Sequence, residues 1–81
     1  MAYNHGVNQF DRITIDPQVM TGKPCIRGMR VTVGMIVEAV SSGRTENELL
    51  ADFPYLEKED VRQALAYAAS LAQGREVLIA S

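Results

Sequence analysis

The run Gly22-Lys23-Pro24-Cys25-Ile26-Arg27-Gly28-Met29-Arg30-Val31-Thr32-Val33 marks the point where the chain changes from short extended pieces to helix. Pro24 lacks an amide donor and disfavours helix at Lys23, while Gly28 can take a positive φ. The run therefore predicts a tight turn at Arg27-Gly28 or Gly28-Met29 between two very short strands, with a helix leaving near Thr32. Lys23, Arg27 and Arg30 lie within eight residues and no acid stands among them, so a compact hairpin would gather three cations suited to phosphate or carboxylate groups. Arg27 and Arg30 have a structural use as well: either could pin the hairpin to a helix C-terminus or pair with Asp16 or Asp52. Lys23 reads as a solvated charge.

Before this run, Arg12-Ile13-Thr14-Ile15 alternates polar and β-branched residues, as a half-buried strand does, and Asp16-Pro17 ends it. Its partner is Cys25-Ile26, the Arg30–Thr32 piece, or the same region of a second chain. Residues 1–11 are mostly polar and aperiodic and read as a flexible tail, with no catalytic work expected of His5. After the run, Thr32 can cap a helix over about 33–42 that passes through Val33, Ile36, Val37 and Val40 and stops at Gly43. Met35 and Ala39 widen its apolar surface, so this helix is expected to be central and largely buried.

Thr45-Glu46-Asn47-Glu48 has the capping-box form and starts a second helix over about 45–52. Pro54 breaks it, leaving Phe53, Tyr55 and Leu56 to fill the corner. A third helix is expected over about 58–73, its start favoured by Glu57, Glu59 and Asp60 at the positive end of the macrodipole. Val61, Ala64, Leu65, Ala68, Leu71 and Ala72 recur at helical spacing and face the core. Arg62, Ala66, Ala69, Ser70 and Gln73 fall on the other side. Gly74 is expected to end this helix, so residues 74–81 form a tail or short strand in which Val77, Leu78 and Ile79 are candidate partner contacts.

An 81-residue chain is one domain that buries too little surface to be comfortably stable alone, and self-association is expected. A hydrophobic content of 47% with 22% charged residues describes a globular chain. The single Cys25 cannot form an internal disulfide, reads as a small buried apolar residue, and makes no metal-ligand set with His5. With no signal-peptide pattern and no apolar run near the ~20 residues that cross a bilayer, a cytoplasmic protein is expected. The net charge of −2 hides a gradient. From Arg12 to Arg44 five basic residues face two acids, whereas from Thr45 onward three basic residues face seven acids.

Three helices, the short second joined to the longer third by a tight corner, give the outline of a helix-turn-helix unit. Several stretches together then carry a resemblance. They are Ile13-Thr14-Ile15-Asp16-Pro17, Gly22-Lys23-Pro24, Ile26-Arg27-Gly28, Arg30-Val31, Leu49-Leu50-Ala51-Asp52-Phe53-Pro54-Tyr55-Leu56 and Glu59-Asp60-Val61-Arg62-Gln63-Ala64-Leu65-Ala66-Tyr67-Ala68. Over residues from about 12 to 73 the chain resembles the domain-of-unknown-function family 433. The resemblance implies a mainly α fold: a three-helix, homeodomain-like (helix-turn-helix) bundle with a short N-terminal β-hairpin or strand element, often dimeric. It also implies a DNA-binding-like protein, in some members the antitoxin of a pair whose toxin is a PIN-like ribonuclease. Met29 stands where the family usually has Thr, and Glu57 where Ser or Thr commonly caps the third helix, placing negative charge where DNA would approach.

Two functions follow as expectations. The first is a homodimeric DNA-binding antitoxin and autorepressor that touches operator DNA through Lys23, Arg27, Arg30, Arg44, Lys58, Arg62 and Gln63, with Arg12 adding charge. The second is a module that binds a partner protein without contacting DNA, favoured by the acid-rich second half. An enzyme is not expected, and neither is a cofactor or a metal. Thr21-Gly22-Lys23 resembles the end of a phosphate-binding loop, but Pro17 stands where its first Gly belongs and Pro24 where Ser or Thr should follow.

Overall fold

A computed structural model describes residues 10–80 in backbone and residues 10–73 in side chains. The chain is mainly α, with a two-stranded antiparallel ribbon ahead of three helices. Strand β1 (Ile13–Thr14) pairs with β2 (Cys25–Ile26) in the register Ile13 to Ile26 and Thr14 to Cys25. Of the three partners open to β1, it takes Cys25-Ile26. The expected tight turn follows at once. Arg27 (φ 46°) and Gly28 (φ 72°) both adopt left-handed backbone, and the Met29 amide returns to the Ile26 carbonyl at 2.8 Å. The ribbon's third piece is a single bridge, Cys25 to Thr32.

Helix α1 (Val33–Ser41) begins as Thr32 accepts a hydrogen bond from the Met35 amide, and it ends with Gly43 at φ 101°, a backbone that favours glycine. Helix α2 (Glu46–Asp52) carries the reciprocal capping box between Thr45 and Glu48, as its sequence predicts. In the corner Leu56 is buried, Phe53 is half-buried against Tyr55, and the Tyr55 ring is exposed.

Helix α3 (Lys58–Ala80) is longer than expected. Gly74 does not end it: glycine weakens a helix interior by only about 1 kcal/mol, and the good helix formers on either side carry it through. The backbone of residues 77–79 is therefore helix rather than tail or strand, while the side chains of Val77, Leu78 and Ile79 lie outside the described ones. His5 also lies outside the described residues.

One core joins ribbon and helices: Ile26, Val31, Val33, Ile36, Leu49, Leu56, Val61 and Ala64. Helix α1 packs chiefly on α3 and is less enclosed than its apolar sequence suggests, since Val33 and Ile36 are buried but Met35 and Val40 are exposed. The apolar stripe of α3 likewise divides. Val61 and Ala64 are buried, whereas Leu71, further along the same stripe, is 56% exposed because the core ends before it. At the other end of the chain, Phe10, expected within the tail, sets its ring edge-on to that of Tyr67 at 5.3 Å, and residues 1–9 lie outside the described ones.

Candidate functional site

Two features of the surface bear on function: where the cations go, and what α1 and α3 leave uncovered. The cations converge on Asp60, in the first turn of α3. Its side chain is fully buried, and it accepts hydrogen bonds from Arg27 Nε at 3.0 Å and Nη2 at 2.8 Å, from Arg12 Nη1 at 3.1 Å and from the Glu57 amide at 2.8 Å. Burial pushes the Asp60 carboxyl up, but the hydrogen bonds from Arg27, the Glu57 amide and Arg12 outweigh it, so the group stays below its ordinary value. A fork of two donors on one carboxylate fixes direction as well as charge. Arg27 also donates to the Tyr55 carbonyl, so its side chain ties the strained turn to both ends of the segment before α3.

The other candidate DNA contacts are similarly occupied. Arg44 pairs with Asp52 and lies 3.9 Å from Glu48. Arg62 forks onto Glu59, and those bonds, with one from Gln63, hold the Glu59 carboxyl down to about 2. Gln63 is buried. Its amide nitrogen donates to Asp11 and Glu59, and its oxygen accepts from the Arg12 amide, which leaves it no edge for a base. Arg27, Arg44, Arg62 and Gln63 thus work within the chain, and the structural use foreseen for Arg27 is met by Asp60 instead of Asp16 or Asp52. Lys23, Arg30 and Lys58 make no ion pair among the described residues.

The expected compact patch is also dispersed. Arg27 turns to Asp60, Arg30 borders a small depression with Met29, Val31 and Tyr55, and Lys23 lies on a groove between α1 and α3. That groove, about 740 Å³, is mostly apolar, lined by Pro24, Val33, Gly34, Val37, Tyr67 and Leu71 among others. Met35, also on its wall, is 37% exposed. Lys23 and Glu38 are the charged residues on the lining, and neither has a salt-bridge partner among the described residues.

Sequence reading missed two residues here. Asp60 read as an acid favouring the helix dipole, although it shares the spacing of Ala64 and Ala68 and so belongs on the inner face; that period was the available signal. Gly34 was passed over because the groove it lines exists only once α3 has docked.

Comparison with known proteins agrees with this architecture. A family model described as "Protein of unknown function (DUF433)" matches residues 13–68. The chain belongs to the DUF433 family. Among solved structures it is similar to a DUF433 member protein from Anabaena variabilis ATCC 29413, at 31% identity and a TM-score of 0.74, over 99% of this chain and 79% of that one. It is also similar to the uncharacterized protein y4eO of Sinorhizobium fredii (strain NBRC 101917 / NGR234), 34% identical over 56 residues, or 69% of this chain. The chain spans only a quarter of that relative's length. The matched residues include Asp60 and Arg27, while Arg12 stands one position before the match.

Proposed function

We propose that this DUF433 chain is a protein-interaction module, an antitoxin-like subunit that docks a partner protein on the groove between α1 and α3. One observation carries the reading: three of the four candidate arginines, Arg27, Arg44 and Arg62, are held by internal carboxylates, while a large apolar groove between α1 and α3 stands open. Among the acids of the second half, Glu46 makes no ion pair among the described residues and adds a charge that repels a polyanion. The partner class favoured by the family resemblance is a PIN-like ribonuclease toxin, and the module itself performs no catalysis in this reading.

A DNA-binding, autorepressing role is the second reading. It is favoured by Lys23, Arg30 and Lys58, which keep their charges free among the described residues, and a homodimer would double them. One experiment weighs both. The tagged chain is used to capture the product of the adjacent open reading frame, and the same preparation is titrated with its own upstream DNA across a salt series. The interaction reading expects capture that Leu71→Asp abolishes and DNA affinity no different from that for random sequence. Salt-dependent, sequence-selective DNA binding lost in the Lys23, Arg30 and Lys58 alanine variant, without capture, would overturn it.

A further inference from the structure

We infer that the occupant of the α1–α3 groove is an amphipathic helix of the partner that bears an acid and a base on its apolar face. This inference rests on the interaction reading above and specifies its ligand. The walls come from two helices, so a third helix completes a three-helix contact, with the side chains of Val33, Val37, Tyr67 and Leu71 meeting its ridges.

Gly34 sets how closely that helix approaches. Its φ is ordinary, and a Cβ placed on it would meet, beyond its two chain neighbours and its own helix backbone, only the Thr32 hydroxyl at 3.8 Å. Neither backbone geometry nor internal packing calls for glycine there, in a position where alanine makes the better helix. Gly34 is exposed and faces the groove, so the missing side chain leaves room for something outside the chain.

The charges set the chemistry. Lys23 precedes Pro24, whose carbonyl accepts from the Val33 amide, and so lies at the start of α1. Glu38 stands five residues further along, roughly 7 Å at the helical rise of 1.5 Å per residue. A helix lying in the groove therefore meets a cation at one end and an anion at the other. Its own acid and base fall about four residues apart, roughly 6 Å along one face. Both groove charges lack an internal partner among the described residues and are available for this pairing.

Three synthetic 18-residue peptides, helical and leucine-faced, provide the probe. They carry on that face Glu with Arg, Glu with Glu, or Arg with Arg, about four residues apart. Fluorescence anisotropy with the full chain is expected to favour the Glu/Arg peptide by about tenfold over either like-charged one. Lys23→Glu should move the preference to Arg/Arg, and Glu38→Lys should move it to Glu/Glu. Gly34→Ala should keep or raise the melting temperature yet weaken the Glu/Arg peptide at least severalfold, an outcome that misfolding cannot imitate. Equal affinity for all three peptides, absence of binding, or binding untouched by Gly34→Ala overturns the inference. So does sedimentation showing a dimer that Gly34→Ala dissociates, because the groove is then occupied by a second copy. Capture of a neighbouring product that survives Gly34→Ala sinks this inference and leaves the interaction reading intact. Failure of all capture sinks that reading while the peptides still report on the groove.

Discussion

Replacing Asp60 with asparagine tests the centre of the fold. The carboxylate is fully buried and takes four hydrogen bonds, three of them from guanidinium groups. Asparagine keeps the shape but puts an amide donor against the donors of Arg27, and it leaves two cations without their anion. Removing one partner of a buried ion pair costs roughly 3–5 kcal/mol. The arginines are 28% and 38% exposed and can rehydrate, so the lower end applies, about 3 kcal/mol. In a domain of this size that lowers the melting temperature by roughly 12–24 °C.

Urea melts followed by far-ultraviolet circular dichroism at pH 7 measure this loss directly, and the same melts at falling pH examine its cause. A carboxyl whose folded pKa lies below its unfolded value, near 3.9, gives its full stabilisation above that value and loses it as pH falls through the folded one. The advantage of wild type over Asp60→Asn should therefore hold from pH 7 to about pH 4 and shrink below it. A loss under about 1 kcal/mol at pH 7, or a difference that stays constant to pH 2.5, would refute the reasoning.

Other substitutions probe separate links. Ile36→Ala, at a fully buried position between α1 and the rest of the core, should cost roughly 2–5 kcal/mol in the same melts. Thr45→Ala removes the α2 cap and should cost about 1 kcal/mol, with Thr45→Ser restoring most of it. Phe10→Ala removes the edge-on contact with Tyr67, and a loss of about 1–2 kcal/mol would show that the chain before β1 is bound to α3. Glu59 should stay ionised well below the ordinary glutamate range, so its carboxyl chemical shift in a pH titration should move only near 2.

What the sequence made legible was local. Thr32, Gly43 and the Thr45–Glu48 box place helix ends because their effects act within one turn of chain, and Arg27-Gly28 marks its turn for the same reason. What stayed hidden depends on residues brought together from far apart. Arg12 and Gln63 read as surface groups because most of their partners, Glu57, Asp60, Asp11 and each other, lie 45 or more positions away. The opposite error occurred at Leu71 and Met35, where helical period predicts an inward face but cannot say whether anything stands opposite it. Gly74 misled because a glycine ends a helix only when the residues beyond it have somewhere better to go.

The span of the Asp60 contacts also bears on how the chain assembles. They join residues 33 and 48 positions apart, so β1 and the Arg27 turn lack these ties until the start of α3 has been synthesised. A ribosome-bound chain ending before residue 60 already has the caps of α1 and α2, but its ribbon lacks the ties to α3. Closing those loops is the slow, entropy-limited part of the search. Refolding at about pH 2.5, where the unfolded chain carries this carboxyl mostly protonated and offers the two guanidinium groups no anion, should therefore be slower than refolding at about pH 7.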